Sequence, residues 1–225
     1  MIKYLKQFKH NNLFVNMPSC DTDPFSGCNY SKKLISKLML DLQVEQFVET
    51  GTFLGHTTQY ISDTFKNVHI KTVELNKTYY DNAVKKFSEN KNVECLFESS
   101  DKFLETFDKK GLVTLFYLDA HWNNYNPLKA EIKNIIKNTD GKDIIVIDDF
   151  MVPNRDFSFD NVPEGGCICF DYIKDCFDVN DWTYFFKNDS DNIGTKATGQ
   201  FYLIHKNLEC KSFIQFENDI PYSNC

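Results

Sequence analysis

The sequence predicts an α/β protein built on a doubly wound, mostly parallel seven-stranded sheet with an antiparallel last strand. Three observations predict it. From Gln46 onward, apolar strand-length runs alternate with amphipathic helical stretches, the pattern of a parallel sheet covered by helices. Several of those runs end on a carboxylate: Glu49, Glu74, Asp119 and the pair Asp148-Asp149. The last two apolar runs, Trp182–Lys187 and Gly199–His205, are joined by the polar stretch Asn188–Thr198. That stretch is too short for a helical crossover, so these two strands are expected to be antiparallel neighbours.

The elements follow in order. Gln46–Glu49 is the first strand, followed by a Gly-rich turn and a helix from His56 to Phe65, which Thr57 or Thr58 is placed to cap. Val68–Leu75 is the second strand. Thr78–Ser88 is helical, with Tyr79, Ala83, Val84 and Phe87 on one face. Val93–Phe97 is the third strand, and Asp101–Phe107 starts the next helix. Leu112–Leu118 is a strongly apolar fourth strand. Pro127–Lys137 is a helix with Leu128, Ile132, Ile135 and Ile136 apolar, and Asp143–Ile147 is the fifth strand. Met151–Gly166 is a long loop, of a length that is usually functional or mobile inside a domain. Cys169–Cys176 reads as a helix. Residues 1–45 form a leader or cap with one helix at Ser31–Leu42, and residues 46–225 form the main domain.

Bulk properties narrow the class. The chain has 225 residues, enough for one full α/β domain. Its 42% hydrophobic and 25% charged residues are ordinary for a soluble protein. A net charge of −7 without a basic stripe argues against a nucleic-acid footprint. The lysines at Lys3, Lys6 and Lys9 are expected to be solvated. No run has the apolar length of a membrane span or a signal peptide, so a cytoplasmic protein is expected. Without a secretory signal, the eight cysteines read as free thiols. No C-x-x-C pair suggests structural zinc, and Cys167-Ile168-Cys169 is too closely spaced for an ordinary zinc knuckle.

The turn Glu49-Thr50-Gly51-Thr52-Phe53-Leu54-Gly55 lies between the first strand and the first helix, where ligands bind in doubly wound sheets. Gly51 permits a tight turn and a close backbone approach, and Gly55 lets the helix start pack near the strand. A dinucleotide enzyme would present G-x-G-x-x-G there, to seat a pyrophosphate. An acidic residue in the loop suits a cationic ligand instead. Glu74 lies 23 residues past Gly51, at the end of the second strand. A carboxylate there can accept both hydroxyls of a ribose; the alternative is a solvated strand-end glutamate.

The runs V-E-T-G-T-F-L-G-H-T-T, T-V-E-L, F-Y-L-D-A-H-W and I-V-I-D-D-F, within Gln46–Phe150, resemble the class I S-adenosylmethionine-dependent methyltransferases. They look most like the metal-dependent O-methyltransferases that modify sugars and catechols. The resemblance implies a Rossmann-like fold and S-adenosylmethionine held by Glu49, Gly51, Thr52, Gly55, Glu74 and Asp119. It places the adenine beside Ser99 and Ser100, although a helix cap explains Ser100 equally well. It also implies Mg²⁺ (or Mn²⁺) on Asp119, Asp148 and Asp149. Three carboxylates at adjacent strand ends suit a hard cation and would repel one another without one. The alternative is that Asp119 orients the methionine end of the cofactor while Asp148-Asp149 cap a loop.

His121, two residues past Asp119, is placed to act with it in catalysis as a proton acceptor, its ordinary pKa being about 6.5. A structural role beside Trp122 is the competing reading. The resemblance implies a small-molecule or glycan acceptor, with the Met151–Gly166 loop, carrying Phe157 and Phe159, on one side of it. Tyr30 and Asp21–Asn29 are placed to close the other. No nucleic-acid or membrane partner is expected, and a homo-oligomeric state stays open. Two rivals are a nicotinamide-dependent oxidoreductase, which would want the missing G-x-G-x-x-G, and a non-enzymatic binding module on the same sheet. The retention of Glu49, Gly51, Glu74, Asp119, Asp148 and Asp149 together argues against the second.

Overall fold

Three runs, Gln46–Thr50, Thr114–Leu118 and Asp143–Ile147, are buried at every residue and form the middle of a seven-stranded sheet. The computed structural model describes residues 23–121, 125–163, 165–188 and 197–208. In chain order the elements are α1 (Asn29–Asp41), β1 (Gln46–Thr50), α2 (His56–Thr64), β2 (His69–Glu74), α3 (Lys77–Lys86), β3 (Val93–Phe97) and α4 (Ser100–Thr106). They continue as β4 (Thr114–Leu118), α5 (Leu128–Lys137), β5 (Asp143–Ile147), α6 (Phe170–Ile173), β6 (Trp182–Phe186) and β7 (Phe201–His205).

The strand order is β3-β2-β1-β4-β5-β7-β6. The pairs among β1 to β5 are all parallel. β7 runs antiparallel to both of its neighbours, β5 and β6. The expected mostly parallel sheet with an antiparallel last strand is therefore the observed one. The chain builds outward from β1 through β2 to β3, then returns to lay β4 on the other side of β1. That reversal opens a cleft above the carboxyl ends of β1 and β4.

Period-two alternation divides the central strands between two cores. Phe47, Leu115, Tyr117, Ile144 and Val146 face one side, packed with Leu34, Ile35, Leu38 and Met39 of α1 and Ile61 of α2. Val48, Phe116, Leu118, Ile145 and Ile147 face the other, against Leu104 of α4 and Leu128, Ile132 and Ile135 of α5. Because both faces are covered, the strands read as continuous apolar runs.

Local details depart from expectation in three places. The predicted helix Cys169–Cys176 is a single α turn, Phe170–Ile173, followed by a 3-10 turn, Lys174–Cys176. On α3, Ala83 is buried and Phe87 at the cap is buried, while Val84 is 42% exposed. Val84 lies a further 100° round the helix, beyond the narrow stripe that this sheet edge covers. Neither threonine caps α2. Its cap position is Gly55, Thr57 Oγ1 accepts from the backbone N–H of Phe25 at 3.2 Å, and Thr58 Oγ1 donates to Glu49.

Cys28, Cys95, Cys167, Cys169 and Cys176 are not in disulfides; the other three cysteines, and Lys3, Lys6 and Lys9, lie outside the described residues. Among the described residues no helix is long and apolar enough to cross a membrane.

The segment before β1 belongs to the first core. The 3-10 turn Pro24–Gly27 takes Phe25 and Ser26 into the left-handed region, both at φ 53°, and this drives the Phe25 ring inward. It packs edge to face with Tyr60 at 5.7 Å and with Tyr117 at 5.4 Å between ring centroids. Phe25 is 1% exposed. Phe25→Ala is expected to destabilise the fold by about 3–5 kcal/mol, the range for a buried phenylalanine truncation. Urea unfolding measures it, and a loss below about 1 kcal/mol would mean that this turn is not part of the core.

Candidate active site

The loop between β1 and α2 is shaped by two glycines. Gly51 has φ +84°, and a Cβ on it would overlap the backbone carbonyl of Asp119. The amide of Asp119 in turn donates to Thr50 O at 3.1 Å, and that of Gly51 to Val73 O at 2.9 Å. Gly55 has φ +68°, and a Cβ there would come within 2.9 Å of the Phe87 ring. Lys86 from α3 donates to the carbonyls of Leu54 and Gly55 at 3.0 and 2.9 Å. The loop is thus fastened from β2, β4 and α3, and the close approach that requires Gly51 is to the end of β4.

The two glutamates do different work. Glu49 is 2% exposed and turned under the loop. It accepts from Thr58 Oγ1 and, at 2.6 Å, from Thr72 Oγ1. Burial pushes its carboxyl up to about 7, with the two threonine hydroxyls opposing. Thr52 is also buried, its hydroxyl 2.6 Å from that of Thr72. Glu74 takes the backbone N–H of Phe53 at 2.9 Å on one oxygen and that of Asn76 at 2.7 Å on the other. It therefore pins the tip of the loop, and each oxygen keeps a further lone pair. Leu75, the next residue, is 53% exposed, and Phe53 and Tyr79 meet edge to face at 4.8 Å.

Across the cleft stand α4 and α5. Ser99 occupies the cap position of α4 without a side-chain cap bond, and Ser100 is buried behind it. Glu131 of α5 is 1% exposed. Burial pushes its carboxyl up to about 7, opposed by the nearby hydroxyls of Ser100 and Thr50. Its Oε1 and the Nδ2 of Asn126 are buried without a hydrogen-bond partner among the described residues. Sequence reasoning missed Glu131, Asn126 and Lys86. The signal for Glu131 was present: it interrupts the apolar stripe Leu128, Ile132, Ile135 at helical spacing.

The acidic group at the ends of β4 and β5 is assembled differently from expectation. One donor atom each from Asp119, His121 and Asp149 lies within 4.8 Å of the others. Asp148 turns the other way, into the protein, and is 1% exposed. It accepts from Tyr117 OH at 2.6 Å, Thr198 Oγ1 at 3.0 Å and Gln200 Nε2 at 3.0 Å. Asp149, the next residue, has φ +48°, in the left-handed region. Burial, then Asp148, Asp149, Glu49 and Asp160, hold the Asp119 carboxyl well above the usual carboxylate range. His121 is 7% exposed, with both ring nitrogens unpartnered among the described residues. Burial lowers it to about 4, with Asp148 opposing.

The Met151–Gly166 loop is tied to this group through its backbone. Asp160 N–H donates to Asp149 O at 2.9 Å and Met151 N–H to Ile168 O at 2.7 Å. Phe157 is buried with Val152 and Ala197 in a small core of its own, and Phe159 is 43% exposed. Tyr30 donates its hydroxyl to Asn188.

No protein-family model and no curated protein sequence matches the chain. Solved structures do match its fold. The O-methyltransferase TomG of Streptomyces achromogenes, involved in tomaymycin synthesis and solved with S-adenosylmethionine, is similar at TM-score 0.58 and 16% identity, over 89% of this chain and 85% of that one. A candidate caffeoyl-CoA O-methyltransferase of Staphylococcus aureus is similar at 0.54 and 14%, over 90% and 91%. An rRNA methylase of Streptococcus thermophilus is similar at 0.50 and 12%, over 78% and 93%. The chain thus has the methyltransferase fold, and the names of these neighbours span more than one kind of acceptor.

The buried carboxyl of Glu131 makes stability depend on pH. Its folded value of about 7 lies above the ordinary 4.5. Within that window the folded state keeps a proton that the unfolded chain has released, so stability falls as pH rises through it. Glu131→Gln is expected to lose less stability between about pH 5 and about pH 8 than the wild type in ligand-free urea unfolding. Equal losses in both proteins would remove Glu131 from the titration.

Proposed function

We propose that the chain is an S-adenosylmethionine-dependent O-methyltransferase that acts, with a divalent cation, on a hydroxyl of a sugar, glycan or similar polyhydroxy acceptor. The observation that carries this reading is one cleft with two halves. A loop pinned by Glu74 faces the group Asp119, His121 and Asp149 across the β1–β4 switch.

The residues present fit the cofactor. Glu74 retains lone pairs for ribose hydroxyls. The exposed Leu75 beside it offers an apolar face to a flat ring. Glu131, beside Ser100, has an Oε1 without a partner among the described residues, a polar atom still to be satisfied. When bound, S-adenosylmethionine supplies an electrophilic methyl on a sulfonium. The loop's contribution is positioning, which brings the methyl and the acceptor oxygen into line.

The acidic group also fits a divalent cation, because clustered carboxylates and a buried, unpartnered imidazole are costly to leave uncompensated. A bound cation supplies charge that lowers the pKa of an attacking hydroxyl. Asp119 and Asp149 hold it at the mouth of the cleft. His121 stands beside them, either as the acceptor of the hydroxyl proton or as a further ligand. The O-methyltransferase character of two structural neighbours and the resemblance of the sequence support the acceptor class.

Two measurements test the proposal. Calorimetric titration is expected to show S-adenosylmethionine binding that weakens about tenfold to a hundredfold in Glu74→Ala, the loss of charge-assisted hydrogen bonds worth about 1.5–3 kcal/mol. No binding by the wild type would overturn the reading. Labelled methyl transfer to a panel of glycans and small diols is expected to stop in chelator and to return with added cation. Full turnover in chelator would assign the carboxylates another task.

A further inference from the structure

Among the described residues the fold gathers three donors, two carboxylates and one imidazole, all within 4.8 Å. The carboxylate that would have made the set all oxygen, Asp148, has three interior hydrogen bonds from Tyr117, Thr198 and Gln200. Those bonds use most of its lone pairs, and breaking them would leave the buried donors of Tyr117 and Gln200 unsatisfied. His121 is in the opposite condition. It is 93% buried by the measure of its 7% exposure, and neither nitrogen has a partner among the described residues. Burying a polar ring in that state is unfavourable unless something else binds it.

We infer that His121 is a ligand of the cation and that the site selects a divalent transition ion, such as Mn²⁺, Fe²⁺, Co²⁺ or Zn²⁺, over Mg²⁺. This rests on the cation site proposed above and replaces the hydroxyl-proton role for His121. Mg²⁺ demands near-octahedral oxygen coordination and gives up its waters reluctantly. An imidazole nitrogen suits the transition ions, whose affinities for mixed nitrogen–oxygen sites rise from Mn²⁺ toward Cu²⁺. One Asp119 oxygen, one Asp149 oxygen and one His121 nitrogen leave the remaining coordination positions to solvent or to two oxygens of an acceptor.

The test uses the full chain, stripped with chelator and titrated with Mg²⁺ and Mn²⁺. Mn²⁺ is the probe because its preference for oxygen and nitrogen keeps it off the thiols. Mn²⁺ is expected to bind more tightly than Mg²⁺, and pulsed electron paramagnetic resonance of the Mn²⁺ form should show coupling to an imidazole nitrogen. His121→Ala should lose that coupling and at least about 10–100-fold in Mn²⁺ affinity, the loss that even an outer-shell partner's removal brings. His121→Asn, which offers an oxygen in the same place, should lose the nitrogen coupling and narrow the preference for Mn²⁺ over Mg²⁺, with circular dichroism confirming the fold. Mg²⁺ binding as tightly as Mn²⁺, or nitrogen coupling that survives in His121→Ala, overturns the inference. Binding of S-adenosylmethionine to the stripped protein is measured in parallel. Nitrogen coupling without cofactor binding would sink the methyltransferase reading alone, and cofactor binding without nitrogen coupling would sink the ligand assignment alone.

Discussion

The Cα of Gly51 rests on the backbone carbonyl of Asp119 with no room for a side chain between them. This contact holds the chain close together just past the last paired residues of β1 and β4, Thr50 and Leu118. On one side of it the chain turns into the loop that Glu74 and Lys86 fasten. On the other it continues into Asp119 and His121. The cofactor half and the acidic half of the candidate site are therefore placed by one backbone-to-backbone approach. A larger residue at position 51 would need both a left-handed backbone and a displaced β4 end.

Charge in the cleft follows from that closeness. Glu49, Asp148, Asp149 and Asp160 all lie close enough to raise the Asp119 carboxyl. The fold relieves the crowding in two ways. Asp148 is drawn into the interior by hydrogen bonds, and Glu49 is covered by Thr58 and Thr72. What remains facing the opening is a smaller group that a cation can neutralise.

Much of this was legible in the sequence because it depends on local rules. Strand ends could be read from where apolar runs stop, and the antiparallel last strand from a connection too short to cross over. The need for glycine at 51 was visible, but not that the close approach it permits is to the backbone of Asp119. What could not be read depended on single backbone angles or on distant neighbours. Asp148 and Asp149 look equivalent on paper, but the backbone enters the left-handed region at Asp149, φ +48°, and only Asp149 joins Asp119 and His121. The three donors to Asp148 come from β4 and from the segment leading into β7, some 30 to 50 residues away. Thr57 and Thr58 look like caps by position, but one is claimed by Phe25 and the other by Glu49, contacts that exist only once the chain is packed.

β7 enters the sheet between two strands that precede it in the chain, β5 and β6. It pairs with β5 through Phe201–Ile204 and with β6 through its whole length. During synthesis, every other strand is available before this one leaves the ribosome. The half-built sheet must wait with a gap beside β5, and Asp148 has neither Thr198 nor Gln200 to hold it until the gap closes. The acidic face of the cleft is thus among the last parts of the molecule to take its final form, whereas the loop at Gly51 can form as soon as β4 has docked.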